Sequence, residues 1–93
     1  MWARAVLSEY VLVSGNDPGC AGAGQPGAFY TAYSYAQCPA GYHALGVGYL
    51  QGSYCGTGTT NGVSGITPYA NAGAVWPQDN FSYTYVVQVA CGK

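Results

Sequence analysis

Charged side chains are the scarcest group in this chain. Two basic and three acidic residues occur among 93 positions, and the formal net charge is −1. An average soluble domain is about a quarter charged. Arg4 and Lys93 stand at opposite ends of the sequence, so no basic patch is present that could neutralise a phosphate backbone. The composition therefore predicts no nucleic-acid partner.

Groups for acid–base catalysis are equally scarce. The sequence has one histidine, His43, and its only carboxylate side chains belong to Glu9, Asp17 and Asp79. Nucleophilic catalysis requires a nucleophile, a base and an orienting group, and glycoside hydrolysis requires a pair of carboxyl groups. These four residues are far apart in sequence, and no G-x-S-x-G motif is present. We therefore expect that the protein is not an enzyme.

Metal ligands show no recognisable pattern. The cysteines at positions 20, 38, 55 and 91 form no C-x-x-C pair, which is the spacing typical of zinc sites. A calcium site needs about six to eight oxygen ligands. Asp17 with Asn16, or Asp79 with Asn80, would supply only part of such a set. We expect no metal ion and no other cofactor.

Long apolar runs are absent as well. No segment approaches the roughly 18 apolar residues that a membrane-spanning helix needs, so we expect no membrane span. Residues 1–13 are apolar but are interrupted by Arg4, Ser8 and Glu9, and they lack the basic leader and cleavage site of a signal peptide. We expect the chain to reach its compartment as part of a larger protein.

The chain contains four cysteines. A chain of 93 residues forms one domain, here residues 1–93, and buries only a small core. Disulfides would therefore stabilise such a small domain. Because disulfides persist in oxidising compartments, the cysteines predict an extracellular protein. Of the three possible pairings we favour Cys38–Cys91 with Cys20–Cys55, because these would join a turn to the last strand and one glycine-rich loop to another. The sequence leaves the other two pairings open.

Strand patterns dominate the chain, and helix signals are weak because 15 glycines and 5 prolines interrupt it. Residues 8–14, 28–36, 42–51 and 80–91 are rich in β-branched and aromatic residues or alternate in polarity. The last segment is the clearest and predicts a long central strand. Residues 16–27, 52–65 and 67–79 are predicted loops. The expected fold is all-β, a small disulfide-linked antiparallel sandwich or barrel with long glycine-rich loops.

Aromatic residues are the most abundant material for a binding surface. The chain has 10 Tyr, 2 Trp and 2 Phe residues. Tyr and Trp provide a large rigid contact area with a polar group, and sugars present C–H faces and hydroxyls that suit such rings. The best local set is Trp76, Tyr69, Asp79 and Asn80 around one predicted loop, and Tyr54 in another loop is a second candidate. For Trp76, packing that anchors the loop is the competing interpretation.

Tyrosines at every second position of a predicted strand receive a different interpretation. Tyr33 with Tyr35, and Tyr83 with Tyr85, follow the period of a β-strand. This spacing favours packing on a sheet face over ligand contact. His43 is likewise expected to pack as an aromatic ring with a hydrogen-bonded nitrogen.

A glycine-rich segment that begins at a cysteine carries a family resemblance. The stretch C-P-A-G-Y-H-A-L-G-V-G-Y at residues 38–49, followed by a last strand ending in V-A-C at 89–91, resembles the exchangeable C-terminal domains of type IV pilus tip adhesins, the shufflon-variable minor pilins. Some phage tail-fibre tips are similar. Val47 stands where a third glycine of the pattern is expected. The resemblance implies a receptor-binding domain on a cell-surface appendage whose partner is a surface glycan such as lipopolysaccharide.

Two functions remain after these exclusions. The first is a non-catalytic recognition module that binds carbohydrate through aromatic residues. The alternative is a structural subunit of an extracellular filament or coat, because low charge permits close subunit packing without stranded ions.

Overall fold

Two antiparallel sheets packed face to face form the protein, which is described by a computed structural model covering residues 9–93. The six strands are β1 Tyr10–Ser14, β2 Ser34–Gln37, β3 His43–Tyr54, β4 Val63–Pro68, β5 Ala72–Pro77 and β6 Tyr83–Gly92. A single 3₁₀ turn covers Ala28–Thr31. The prediction of an all-β antiparallel sandwich is confirmed. Ser8 and the residues before it lie outside the described part of the chain.

Each sheet has three strands. The first sheet has the order β1-β6-β3, and the second sheet has the order β2-β5-β4. The predicted last strand is central, because β6 pairs with β1 on one side and with β3 on the other. Val89 of β6, for example, lies between Val13 of β1 and Val47 of β3.

The core lies between β6 and the second sheet. Side chains alternate along a strand, so every second residue of β6 points inward. Tyr85, Val87, Val89 and Cys91 are buried there, and Val75 of β5 packs against them at 1% exposure. The apolar residues that alternate along the last strand are therefore the ones that face the core.

Both disulfides have the pairing that the sequence favours. Cys38, directly after β2, is bonded to Cys91 of β6, with a Cα–Cα distance of 5.8 Å. This bond joins the two sheets within the core. Cys20 is bonded to Cys55, with a Cα–Cα distance of 5.4 Å, and joins the loops that follow β1 and β3. Disulfides of this kind are compatible with an extracellular compartment.

The prediction of one continuous strand at residues 28–36 is wrong. Residues 28–31 form the 3₁₀ turn, and β2 begins only at Ser34. The small side chains Ala32, Ser34 and Ala36 face the core, because the two sheets are close here: the Ser34 hydroxyl accepts a hydrogen bond from the backbone N–H of Val87 at 3.1 Å. The larger side chains between them are left on the exposed face.

The prediction that residues 67–79 form a loop is also wrong. They include the end of β4 and all of β5, which pair as a hairpin and place β5 at the centre of the second sheet. The backbone N–H of Tyr69 donates to the carbonyl of Ala72 at 2.9 Å and closes the turn. The segment A-G-A-V lacks strand propensity, but its small residues allow the other sheet to come close: a Cβ atom on Gly73 would lie 2.7 Å from Val47. The predicted loop 52–65 likewise shortens, since β3 ends at Tyr54 and β4 begins at Val63.

Two polar residues near the start of β6, one in the strand and one just before it, are buried although they alternate with the core-facing residues. Thr84 is fully buried, and its hydroxyl accepts from the backbone N–H of Ser53 at 2.7 Å. Ser82 is buried as well, and its hydroxyl donates to the carbonyl of Thr60 at 2.9 Å. The glycine-rich loops cover this end of β6, so its outward residues serve as hydrogen-bond partners for the loops.

Candidate functional site

Four aromatic rings lie close together on the outer face of the second sheet. Directly paired residues of antiparallel strands point to the same side of a sheet. Tyr35 of β2 pairs with Ala74 of β5, and Ala74 pairs with Thr67 of β4. Val75, the neighbour of Ala74, points into the core. Tyr35, Ala74 and Thr67 therefore lie on the side of the sheet that faces away from the core.

Four rings form two neighbouring pairs on this face. Tyr33 and Trp76 are stacked, with ring centroids 5.4 Å apart and an interplanar angle of 25°. Tyr35 and Tyr69 are tilted, with centroids 6.2 Å apart and an angle of 58°. The three tyrosines are each more than 40% exposed, at 43% for Tyr33, 43% for Tyr35 and 46% for Tyr69. We call these four residues the aromatic face.

A hollow of about 360 Å³ adjoins the aromatic face. It is lined by Asn16, Pro18, Thr31, Tyr33 and Tyr35. The Asn16 side-chain oxygen accepts a hydrogen bond from the backbone N–H of Tyr35 at 3.1 Å, which fixes the loop after β1 against the free edge of β2. The Thr31 hydroxyl donates to the carbonyl of Ala28 at 3.2 Å and keeps its lone pairs as acceptors. An amide and a hydroxyl thus stand beside two tyrosine rings.

One acidic residue lies between two of the lining residues in sequence. Asp17 stands between two of the lining residues, and its carboxylate accepts from the backbone N–H of Gly19 at 3.0 Å and from the Ser53 hydroxyl at 2.7 Å. These hydrogen bonds, the Gly19 N–H first, lower the pKa of the Asp17 carboxyl below its ordinary value. The side chain is therefore ionised at neutral pH.

The structure divides the predicted binding residues among three places. Trp76 and Tyr69 lie on the aromatic face. Asp79 and Asn80 instead join loops at one end of the sandwich: Asp79 accepts from the backbone N–H of Gly27 at 2.7 Å, and the Asn80 side chain donates to the Thr59 hydroxyl at 2.9 Å. The predicted set of Trp76, Tyr69, Asp79 and Asn80 is therefore not one cluster, because β5 forms a strand and separates its two ends.

Tyr54 lies apart from this face. It ends β3 in the first sheet, is 68% exposed, and its ring is 5.0 Å from that of Tyr83. Tyr33, Tyr35, Asn16 and Thr31 are members of the site that the sequence did not suggest. A signal for the two tyrosines was present: Ala32, Ser34 and Ala36, which alternate with them, are small enough to face a tightly packed core.

The chemistry available on the aromatic face is that of noncovalent recognition. Its groups are ring faces, phenol hydroxyls, one amide and one threonine hydroxyl. Within residues 9–93, no three His, Cys, Asp or Glu side chains come together as metal ligands. His43, at the start of β3, is exposed and belongs to the first sheet.

The described part of the chain contains no helix with the length and hydrophobicity that crossing a bilayer requires. No protein-family model, curated protein or solved structure matches this chain significantly.

Proposed function

We propose that this protein is a non-catalytic recognition module that binds surface carbohydrate, such as lipopolysaccharide, through the aromatic face. The observation that carries the proposal is the grouping of three exposed tyrosine rings and the half-buried Trp76 beside the hollow lined by Asn16 and Thr31. Ring faces pack against the C–H groups of a sugar, and the neighbouring amide and hydroxyls hydrogen-bond to sugar hydroxyls. A few polar groups in an otherwise aromatic hollow are the usual way in which such a site fixes ligand orientation.

The location of this activity is part of the proposal. The resemblance of residues 38–49 and 89–91 to pilus tip adhesin domains favours a position at the tip of a cell-surface appendage, within a longer pilus or fibre protein. The two disulfides suit such a position, because they hold a small core together where no chaperone or reducing system operates. In this setting the glycan of a target cell is the partner.

The proposal is tested by binding of the purified protein to an array of lipopolysaccharides and purified oligosaccharides. Tyr33→Ala removes one ring of the stacked pair, and Tyr10→Ala is the matched control because Tyr10 is 73% exposed on the first sheet. Circular dichroism checks the fold of both variants. We expect Tyr33→Ala to lose glycan retention and Tyr10→Ala to keep it. The proposal fails if the protein retains no glycan, or if both variants bind like the parent.

A second candidate function is a structural subunit of an extracellular filament or coat. The observation in its favour is the outer face of the first sheet, where Leu12 is 61% exposed and Leu50 is 52% exposed. Gly46 and Gly48, which pair with β6 on the same face, have nothing above them within 4 Å. This function predicts fibres in negative-stain electron micrographs that disappear in Leu12→Ser, without saturable sugar binding.

A further inference from the structure

The aromatic face is longer than a single sugar residue needs. Tyr33 and Tyr35 are two residues apart in an extended segment, which separates them by about 7 Å along the strand direction. Tyr33 belongs to the stacked pair with Trp76, and Tyr35 belongs to the tilted pair with Tyr69. The two ring pairs therefore follow one another along β2, at a spacing comparable to the length of one sugar residue.

A small, buried residue of β5 lies between the two ring pairs. Ala74 lies there, paired with Tyr35 on one side and with Thr67 on the other. Ala74 is 1% exposed, so neighbouring side chains cover its methyl group, and no large side chain of β5 projects between the two pairs. The hollow continues the aromatic face on the side of β2, because Tyr33 and Tyr35 both line it together with Asn16 and Thr31. A ligand can consequently contact both pairs at once.

Among residues 9–93, no basic side chain lines the hollow. Lys93 is the basic side chain of the described residues, because Arg4 lies outside them. The Nζ atom of Lys93 lies 5.1 Å from the centroid of the Tyr42 ring, and the Lys93 backbone pairs with Glu9, just before the start of β1. The hollow lies beyond the other end of β1, roughly 13 Å further along that strand. Asp17, which is ionised, is the charged side chain next to the lining residues.

We infer that the aromatic face binds a run of at least two uncharged sugar residues within a longer glycan chain, one on Tyr33 and Trp76 and the next on Tyr35 and Tyr69. This inference rests on the proposed carbohydrate-binding function. Within residues 9–93, no basic side chain lines the hollow to pair with a carboxylate or phosphate on the ligand, and Asp17 adds a negative charge between two lining residues in sequence, so acidic sugars are disfavoured. In a lipopolysaccharide, the ligand is the uncharged sugar chain and not the phosphate groups.

Isothermal titration with uncharged glucose, mannose and N-acetylglucosamine oligomers of increasing length tests this inference. We expect affinity for the sugar that binds to rise about tenfold between the single residue and the oligomer that covers both ring pairs, since each ring pair adds a separate contact. Longer oligomers should give no further gain. Tyr69→Ala should remove most of the gain with length, whereas Tyr33→Ala should weaken binding at every length.

Acidic oligomers of matched length complete the test. Galacturonic acid oligomers should bind at least about tenfold more weakly than the uncharged series, and Asp17→Asn should reduce that difference. Equal affinity for single residues and oligomers, or stronger binding of the acidic series, would overturn the inference while leaving carbohydrate binding in place. Failure of every sugar to bind would overturn the proposed function as well, so the two failures are distinguishable.

Discussion

Replacing each disulfide separately by two alanines measures how far this fold depends on its cross-links. The sequence separations are 35 residues for Cys20–Cys55 and 53 residues for Cys38–Cys91. Loop-closure entropy depends only weakly on length, and it gives about 4 kcal/mol of stabilisation for either bond. Chain entropy alone therefore predicts that the two double variants are nearly equal in stability.

Burial makes the two disulfides unequal. Cys38 is 5% exposed and Cys91 is 1% exposed, and both pack in the core between the sheets. Loss of two buried sulfur atoms leaves a cavity that costs about 2 kcal/mol more. Cys20 is exposed and Cys55 half-buried, so their replacement leaves little empty space. The expected losses are about 4 kcal/mol for the loop disulfide and about 6 kcal/mol for the core disulfide, against about 5–14 kcal/mol for a domain of this length.

Urea denaturation without reductant, followed by far-ultraviolet circular dichroism, measures both losses. The urea midpoint should be highest for the parent protein. It should be lower for the variant with Cys20→Ala and Cys55→Ala, and lowest for the variant with Cys38→Ala and Cys91→Ala. Thermal midpoints give the same ranking if the last variant is already partly unfolded in buffer. A loop variant that is as unstable as the core variant, or more so, would refute the assignment of the core disulfide to the packed interior.

Three further predictions concern single residues. Gly15→Ala should lower the free energy of unfolding by about 1–3 kcal/mol in urea titrations, because its methyl group would lie 2.6 Å from a main-chain oxygen of β2. Gly46→Ala, where nothing lies within 4 Å, is the control and should change it by less than about 1 kcal/mol. The hydrogen bond from the Gly19 N–H is the first cause of the lowered Asp17 pKa, so the ionised side chain stabilises the fold above the ordinary carboxyl range. This stabilisation should be lost as the pH falls through the lowered pKa. Unfolding free energies measured over a pH series should show a smaller acid loss in Asp17→Asn. The Tyr42 hydroxyl donates to Glu9, which raises the Tyr42 pKa and predicts stability that is lost as the pH rises through the tyrosine range; Tyr42→Phe should lack this alkaline loss in thermal melts.

Much of the fold follows from residues whose local pattern agrees with their environment. The alternation at 85–91 predicts a central strand because its apolar side chains do face the core. The sequence did not predict β5, because three of the four residues in A-G-A-V are Ala or Gly, which have low strand propensity. Its strand conformation comes from pairing with β2 and β4 and from the close approach of the other sheet at Gly73. Pairing between strands that are distant in sequence cannot be recognised from a short segment of the chain.

The candidate site was predictable only in part for the same reason. Trp76 and Tyr69 were chosen because they share a short segment, yet they belong to different ring pairs along a strand. Tyr33 and Tyr35 come from a segment some 40 residues away in sequence and join the site through β2–β5 pairing. Asp79 and Asn80 are close to Trp76 in sequence, but their side chains are hydrogen-bonded to Gly27 and Thr59 and hold the loops together.

Titration of the isotope-labelled protein with a glycan that it retains, followed by two-dimensional NMR, tests the central claim most directly. If the aromatic face is the binding site, the largest shift changes should fall on the amides of residues 31–35 and 74–76 and on the Trp76 indole N–H. The first sheet should remain nearly unchanged around Leu12 and Leu50. Changes concentrated on that first-sheet surface, or at Tyr54, would contradict the account.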